Sequence, residues 1–526
     1  MGAPAAGPTR AQIEAALQVS EEESQLPRKT LFKNYWPAVV YSSLLSLALV
    51  MEGMDLGMLN NLFGHPAFNR HFGSLQSNGK YVIPSNWQSG IAGANQVGSI
   101  IGLLINGWLQ SRYGSRMVYM GAMVLMAATI FILFFAVNLP MLLAGNVLCG
   151  IPWGIFQTLT TAYAAEICPA ALRGYLTAWV SMCWGMGSFL AQVVLRASLG
   201  LPGDLGWQVP YALQWIWIPP LIVVASFCPE SPWYFVRRGR IADAETSLRR
   251  LACRDHYTEQ SMAQSLALMI HTNEMEKEEA ADASYRDCSS FNGQSLTGYA
   301  AQFLQTAGTE TTQSFHYSMA IQSVNIVATG IAIALMGRVG RRWFYFLGSN
   351  AIGFWMAMIG VIGLLKQTSQ TAIAIAAILI LTNFTFKVSL GPACFVVAGE
   401  MSSNRVRAQT IVLGRATYVA SAVINNQLKV RMISSADDAW GWGPLSGWFY
   451  FGFCIFYAIY LWFNLPETKN RSFAELDFLF QKKVPARQFA KTRVDLFEDA
   501  RAQDAAEKVA AEKLTTAAQV ENAREV

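Results

Sequence analysis

The chain has 526 residues, of which 53% are hydrophobic and only 14% are charged. Soluble proteins carry about 25% charged residues, so this composition argues against a soluble enzyme and against a disordered protein. The net charge of +5 comes from basic residues dispersed along the chain, which disfavours nucleic-acid binding. The composition predicts an all-α polytopic membrane protein whose surface contacts the lipid bilayer.

Apolar segments long enough to cross a bilayer, about 20 residues each, recur along the chain. The predicted spans lie near 37–62, 88–110, 117–137, 140–164, 174–197, 210–228, 289–307, 318–336, 343–365, 371–399, 408–428 and 444–464. They predict an N-terminal tail, a six-helix half, a linker with short helices, a second six-helix half and a C-terminal tail, at 1–36, 37–228, 229–287, 288–465 and 466–526.

Lysine and arginine are unevenly distributed between the connections. They concentrate in the two tails and in the loops that follow even-numbered spans. Basic loops stay on the cytosolic side of a membrane. The sequence therefore predicts that both termini and the linker are cytosolic.

The two predicted halves repeat the same motifs at matched span numbers. An R-x-G-x-R motif follows spans two and eight, an acid stands seven residues before an arginine after spans four and ten, and a Pro-Glu pair follows spans six and twelve. Together they form a predicted gating charge network of Arg112, Arg116, Glu166, Arg173, Glu230, Arg338, Arg342, Glu400, Arg407 and Glu467. Arginine binds carboxylates through two hydrogen bonds, so bridges between the halves could form and break at the cytosolic mouth. The alternative is that these arginines only set the topology.

Several longer motifs resemble a known family. "PESPWYFVRRGR", "RVGRR" and "PETKNRSFAELD" resemble the sugar porters of the major facilitator superfamily, and "MEGMD" and "CGIPWGIFQTLTTAYAAEICPAALRGYLTAW" resemble the fungal maltose (α-glucoside) permeases. The resemblance implies the major facilitator fold, two six-helix halves in a plasma membrane. It also implies a small-molecule sugar as substrate and protons as the coupling ion. No enzymatic activity, cofactor, metal or obligate protein partner is predicted.

Two acids in the first span are the predicted proton-coupling residues. Glu52 and Asp55 are three residues apart and share a helix face, and charges inside a bilayer are functional by default. The resemblance assigns the same role to them and adds Arg415, about 12 Å into the membrane beyond Arg407. Arg415 is the predicted counter-charge of Asp55 or Glu52. The alternatives are a solvated rim for the acids and a snorkelling side chain for the arginine.

Polar and aromatic residues from both halves are predicted to line a central sugar site, because sugars need hydrogen bonds to their hydroxyls and aromatic faces against their rings. The candidates are Gln157, Ser181, Ser188, Asn292, Gln294, Tyr299, Asn325, Asn383 and Phe395. Each polar one could equally form a hydrogen bond between helices.

The seventh span departs from the family pattern. Cys288 runs directly into a short polar segment where the resemblance implies a longer apolar one, which predicts a truncated seventh helix. The predicted function is proton-coupled uptake of α-glucosides such as maltose by alternating access. The alternatives are a transport-inactive or sensor-like relative, or a uniporter without proton coupling.

Overall fold

A computed structural model describes the chain between residues 28 and 492. The residues within that range that are not described are 77–78, 80, 169, 254–258, 279–299, 307–308, 337–338, 367, 392–406, 434–438, 468–478, 480–483 and 490–491.

The N-terminal part is a succession of helices joined by short turns. Its helices are α1 (Arg28–Asn34), α2 (Trp36–Leu45), α3 (Ala48–Leu62), α4 (Pro66–Phe72), α5 (Ser85–Tyr113), α6 (Ser115–Phe134), α7 (Leu139–Ile167), α8 (Ala170–Ser198), α9 (Leu205–Ala212) and α10 (Ile218–Phe227). A 3-10 helix, Leu213–Trp217, joins α9 to α10. The strands β1 (Ser74–Leu75) and β2 (Tyr81–Val82) form one antiparallel pair.

Short helices follow in the linker: α11 (Pro232–Arg237), α12 (Ile241–Leu251) and α13 (Glu259–Glu278). They pack around a small core of Val236, Ala244, Met262, Leu266 and Met269. The Tyr163 hydroxyl donates to the Pro229 carbonyl at 2.7 Å, and the Cys253 amide donates to the Asn34 carbonyl at 2.8 Å. The linker is therefore attached to one end of the N-terminal helices, called the proximal end below.

The C-terminal part repeats the helical pattern. Its helices are α14 (Ala300–Thr306), α15 (Thr311–Met336), α16 (Arg341–Gly363), α17 (Ser369–Val388), α18 (Arg407–Ile433) and α19 (Ser446–Asn464), with 3-10 turns at Gly443–Leu445 and Ala486–Gln488. Of the predicted seventh span, only α14 belongs to the described residues. Its predicted truncation around Cys288 lies outside them.

Within the described residues, eight helical segments are long and apolar enough to cross a membrane: Trp36–Leu62, Ser115–Phe134, Leu139–Ile167, Trp179–Ser198, Leu205–Phe227, Arg342–Gly363, Gln370–Val388 and Gly443–Asn464. Their outward faces carry large exposed apolar side chains, among them Val124, Phe227 and Phe456. A bilayer would cover these surfaces.

Two hydrophobic cores hold the bundle together. One is built mainly from α2 to α10, and the other from α14 to α19. In the first core, glycines allow helix backbones to touch: a Cβ atom at Gly98 of α5 would overlap the Val147 carbonyl of α7, and one at Gly187 of α8 would overlap the Val50 carbonyl of α3. Small residues at helix contacts are the usual basis of close packing in membranes.

Candidate functional site

The two acids of α3 lie deep inside the N-terminal half. Glu52 and Asp55 are each 1% exposed. The glycine contact at Gly187 brings α8 against one side of α3, and α7 lies against the side that carries the acids. The sequence prediction that both acids share one helix face agrees with this arrangement.

Asp55 accepts hydrogen bonds from three different elements. Gln214, in the 3-10 helix after α9, donates to Oδ1 at 2.9 Å. Trp153 of α7 donates its indole N–H to Oδ2 at 3.0 Å, and Asn95 of α5 donates to the same oxygen at 3.3 Å. Donors of this kind favour the charged carboxylate, whereas removal from water favours the neutral acid. These opposed effects suit a group that takes up and releases a proton.

The donors around Asp55 are uncharged. Gln214, Trp153 and Asn95 carry no formal charge, and the Cys149 thiol lies 3.9 Å from Oδ2. The expected basic counter-charge of Asp55 is not seen among the residues that the structure describes. The side chain of Arg415 lies outside them, so its role stays a prediction. Among the described residues the partners of Asp55 are neutral, so protonation of Asp55 leaves none of them as an unpaired positive charge.

Glu52 is joined to a predicted sugar-binding residue. Gln157 of α7 donates from Nε2 to Glu52 Oε1. Gln157 follows Trp153 by one helical turn, just as Glu52 precedes Asp55 by one turn. One face of α7 therefore donates hydrogen bonds to both acids of α3. Gln157, a predicted sugar-binding residue, contacts Glu52, a predicted proton-coupling residue.

Asn95, Trp153 and Gln214 are not among the site residues predicted from the sequence. Each is a hydrogen-bonding side chain within an apolar span, and Asn95 and Gln214 are 1% and 0% exposed. Gln214, within the apolar run "VPYALQWIWIPP", carries the clearest signal, since a buried amide needs a partner. Which partner it finds depends on how the sixth span packs against the first.

Two predicted sugar residues of the C-terminal half are buried between helices. Asn383 of α17 donates to the Ile321 carbonyl of α15 at 2.7 Å, and Asn325 donates to the Gln322 side chain within α15. Asn325 also faces the N-terminal half, because a Cβ atom at Gly185 of α8 would lie 3.2 Å from its Cβ.

Of the fifth-span candidates, Ser181 is buried, and Ser188 donates to the Gly53 carbonyl of α3 at 3.4 Å. The structure thus places Gln157, Ser181, Ser188, Asn325 and Asn383 in the interior of the bundle. Four other predicted sugar residues lie outside the described residues: Asn292, Gln294, Tyr299 and Phe395.

At the proximal end, Glu230 caps a helix, and none of the described arginine side chains pairs with it. Its carboxylate accepts from the backbone amides of Ser115, at 2.8 Å, and of Arg116, at 3.0 Å. These are unsatisfied amides of the first turn of α6, where the helix dipole favours negative charge. Gly114 precedes them with φ of 84°, and a Cβ atom there would lie 2.6 Å from the Glu230 carboxylate.

The C-terminal half repeats this arrangement. Glu467 Oε2 accepts from the backbone amide of Arg342, in the first turn of α16, at 3.3 Å. A Cβ atom at Gly340 would overlap the Glu467 carboxylate. The glycine of each R-x-G-x-R motif therefore makes room for the acid of the matching Pro-Glu motif.

Bridges between the halves through these charges are not seen among the described residues. Glu166 pairs with Arg237 of the linker at 2.8 Å. Arg112 stacks over the Trp108 ring, and Arg342 donates to the Trp462 carbonyl at 2.7 Å. In this state Glu230 and Glu166 contact groups of the N-terminal half and the linker, and their predicted part in bridges that form when the cytosolic mouth closes stays a prediction. Arg338 and Glu400, and the side chains of Arg173 and Arg407, lie outside the described residues.

The two halves are joined instead at the opposite, distal end, where α3 ends and α15 begins. Gln302 of α14 donates to the Gln88 side chain of α5 at 3.0 Å, and the Asn61 side chain accepts from the Ala301 amide at 3.3 Å. Further contacts between the halves are Arg431 with Asn86 at 3.3 Å, Gln305 with the Gly64 carbonyl at 3.3 Å, and Arg196 with His316 at 3.2 Å. In this state the distal end is closed.

Comparisons with known sequences agree with this geometry. Residues 42–480 match a family model described as "Sugar (and other) transporter". A maltose permease of Saccharomyces cerevisiae is 35% identical over 513 residues, which cover 93% of this chain and 83% of the permease. A general alpha-glucoside permease of the same species is 35% identical over 503 residues, covering 91% of this chain and 80% of the permease.

Comparison with solved structures concerns the fold. The xylose transporter XylE from E. coli, in a partially occluded inward open conformation, superposes with a TM-score of 0.66 at 18% identity. The match covers 84% of this chain and 99% of XylE. The predicted all-α major facilitator fold and the predicted resemblance to sugar porters are confirmed.

Proposed function

The chain belongs to the sugar transporter family of the major facilitator superfamily, and from that premise we propose that it takes up α-glucosides such as maltose together with protons. The relatives whose names mention maltose and alpha-glucosides support the substrate class. The movement is alternating access between two six-helix halves, 37–228 and 288–465. The positive-inside distribution of basic residues supports a cytosolic location for both tails and the proximal end, and the permease relatives favour the plasma membrane.

The contact between Gln157 and Glu52 carries the proposal. A sugar hydroxyl that accepts from the Gln157 amide takes a donor away from Glu52. The charged form of Glu52 then loses stabilisation, and protonation becomes more favourable. By reciprocity, a proton on Glu52 frees Gln157 for the sugar. A hydrogen bond to a charged group contributes about 1.5–3 kcal/mol, which corresponds to coupling of roughly 10- to 150-fold.

Asp55 is the second proton position in this scheme. Its donors come from α5, α7 and the segment before α10, so a movement of any of them relative to α3 changes the stability of the carboxylate. Protonation can thereby respond to the conformation of the N-terminal half.

Uptake by intact cells tests the proposal directly. Radiolabelled maltose should accumulate, and maltose added to an unbuffered suspension should raise the external pH. Substitution Gln157→Leu should raise the KM for maltose about tenfold or more, because the sugar loses a hydrogen bond beside a charge, and it should reduce the number of protons moved per sugar.

Asn146→Leu is the matched control. Asn146 is also a buried amide of α7, but it donates to the Leu142 carbonyl of its own helix at 2.8 Å, so its loss should leave the KM unchanged. Maltose uptake without alkalinisation would replace the symporter by a uniporter. Correctly inserted wild-type protein that moves no sugar would favour the transport-inactive alternative.

Loss of the contact between Arg196 and His316 should loosen the distal end. Arg196 donates from Nε to Nε2 of His316 at 3.2 Å, on the exposed surface where the two halves meet. The substitution His316→Leu removes the acceptor, so this hydrogen bond between the halves is lost.

Labelling of a cysteine at buried Ser314 with a membrane-impermeant thiol reagent measures this opening. The labelling rate in the His316→Leu background should exceed the rate in the His316 background by about two- to fivefold, as expected for the loss of one exposed hydrogen bond. His71→Leu is the control, because His71 pairs with Asp204 inside the N-terminal half. Equal labelling rates with His316 and with Leu at this position would contradict the role of His316.

A further inference from the structure

A polar seam between α8 and α15 contains buried groups that the transport scheme above does not use. Gln192 of α8 is 0% exposed and Ser318 of α15 is 1% exposed. Neither amide atom of Gln192 nor the hydroxyl of Ser318 has a hydrogen-bond partner among the described residues. Buried polar groups are nearly always paired, and leaving them unpaired is costly. Side chains of this kind indicate a ligand-binding position.

The register of the two helices places Gln192 opposite Ser318. The helices are antiparallel, and they touch where a Cβ atom at Gly185 would lie 3.2 Å from Asn325 Cβ. Gln192 comes seven residues after Gly185, and Ser318 comes seven residues before Asn325. Seven residues return a helix to the same face within about 20° and advance it by about 10 Å. Both side chains therefore lie in the seam, on the distal side of this contact.

The chemistry of the seam matches a polyhydroxylated ligand. The amide of Gln192 offers two donated hydrogens and an acceptor oxygen, and the hydroxyl of Ser318 can donate and accept. Sugar hydroxyls also do both. A charged ligand would instead require a basic or acidic partner, and the two residues of the pair are neutral.

The seam also continues from the proposed central site. Gln192 lies one helical turn beyond Ser188 on α8, toward the distal end, while Gln157 and Asn325 lie nearer the middle of the bundle. A single pyranose ring held at the central site would leave Gln192 unused. A second ring linked to the first extends the ligand along the bundle.

We propose that Gln192 and Ser318 form a subsite for the second ring of a disaccharide, so that they set the preference for disaccharides over monosaccharides. This inference rests on the proposed function, since it assumes that a sugar occupies the central site. It assigns the seam a role in specificity, separate from proton coupling at Glu52 and Asp55.

Uptake kinetics with sugars of two lengths test the subsite. Gln192→Met keeps the size of the side chain but removes its hydrogen bonds. The KM for maltose should rise about three- to tenfold for the loss of one or two hydrogen bonds. The inhibition constant of methyl α-glucoside, a one-ring probe, should change less than about twofold. Ser318→Ala is a smaller change, included in case Gln192→Met does not fold. It should raise the KM for maltose by about threefold.

Asn350→Leu is the matched control, because the Asn350 amide donates to the Phe346 carbonyl of its own helix on the exposed surface of α16. An equal rise in the KM for maltose and in the inhibition constant of methyl α-glucoside would overturn the subsite. An unchanged KM for maltose in both seam variants, with only surface abundance or turnover reduced, would overturn it too. In both of these outcomes the wild-type protein still takes up maltose. If the proposed function itself fails, the wild-type protein moves neither sugar, and the subsite assignment is then wrong as well.

Discussion

Replacement of Asp55 by asparagine is expected to abolish the proton movement that accompanies sugar uptake. Asparagine cannot exchange a proton, yet it has nearly the shape of the protonated acid. A proton crossing 100 mV supplies about 2.3 kcal/mol, which supports roughly 50-fold accumulation. The accumulation ratio of the Asp55→Asn variant should therefore fall from that range to about one, while exchange of labelled for unlabelled sugar continues.

The same substitution is also expected to lower the stability of the protein, because Asp55 accepts hydrogen bonds from buried donors. In the wild type, Gln214 donates to one carboxylate oxygen, and Trp153 and Asn95 donate to the other. An asparagine offers only one acceptor oxygen, so some of these buried donors lose their partner. A loss of about 1–3 kcal/mol in the free energy of unfolding is expected, which a thermal unfolding measurement on purified protein would detect.

Asp204→Asn is the control for both measurements. Asp204 is a carboxylate of the same half, but it is exposed and pairs with His71 at the distal end. Its loss should leave alkalinisation and accumulation unchanged. If cells carrying Asp55→Asn still alkalinise the medium on maltose addition as the wild type does, Asp55 is not the proton site.

The largest effect on folding is expected from a side chain at Gly102. In α5, a Cβ atom at Gly102 would overlap the Ile151 carbonyl of α7, and reciprocally one at Gly154 of α7 would overlap the Ser99 carbonyl of α5. Because backbone atoms cannot move aside as a flexible side chain does, Gly102→Val should separate the two helices. The cost should exceed the roughly 1–3 kcal/mol of ordinary overpacking.

The separation would also displace Trp153 and Gln157 from the acids of α3, since both side chains are carried by α7. Surface abundance and thermal stability of Gly102→Val should both fall strongly. Gly107→Val is the matched control, because Gly107 lies on the same helix and a Cβ atom there meets no atom of the described residues within 4 Å. Equal abundance and thermal stability of the two variants would show that close approach of α5 and α7 is not required.

The sequence by itself determined the membrane class, the helical fold and the place of the two acids. Apolar runs of sufficient length, the one-sided distribution of basic residues and the motifs repeated in each half are local properties of the chain. Glu52 and Asp55 stood out because charges are rare in an apolar span. These signals need no knowledge of which helices are neighbours.

Only the tertiary structure decided which groups meet. The neutral donors around Asp55 come from residues 40, 98 and 159 positions away along the chain. Glu230 reaches the backbone amides of the first turn of α6, which lie more than 100 positions before it. Asparagine, glutamine and tryptophan look the same in a sequence whether they bind a carboxylate, a carbonyl or a ligand. Their partners follow from helix contacts set by glycines such as Gly98 and Gly187, and a glycine does not encode which helix it will touch.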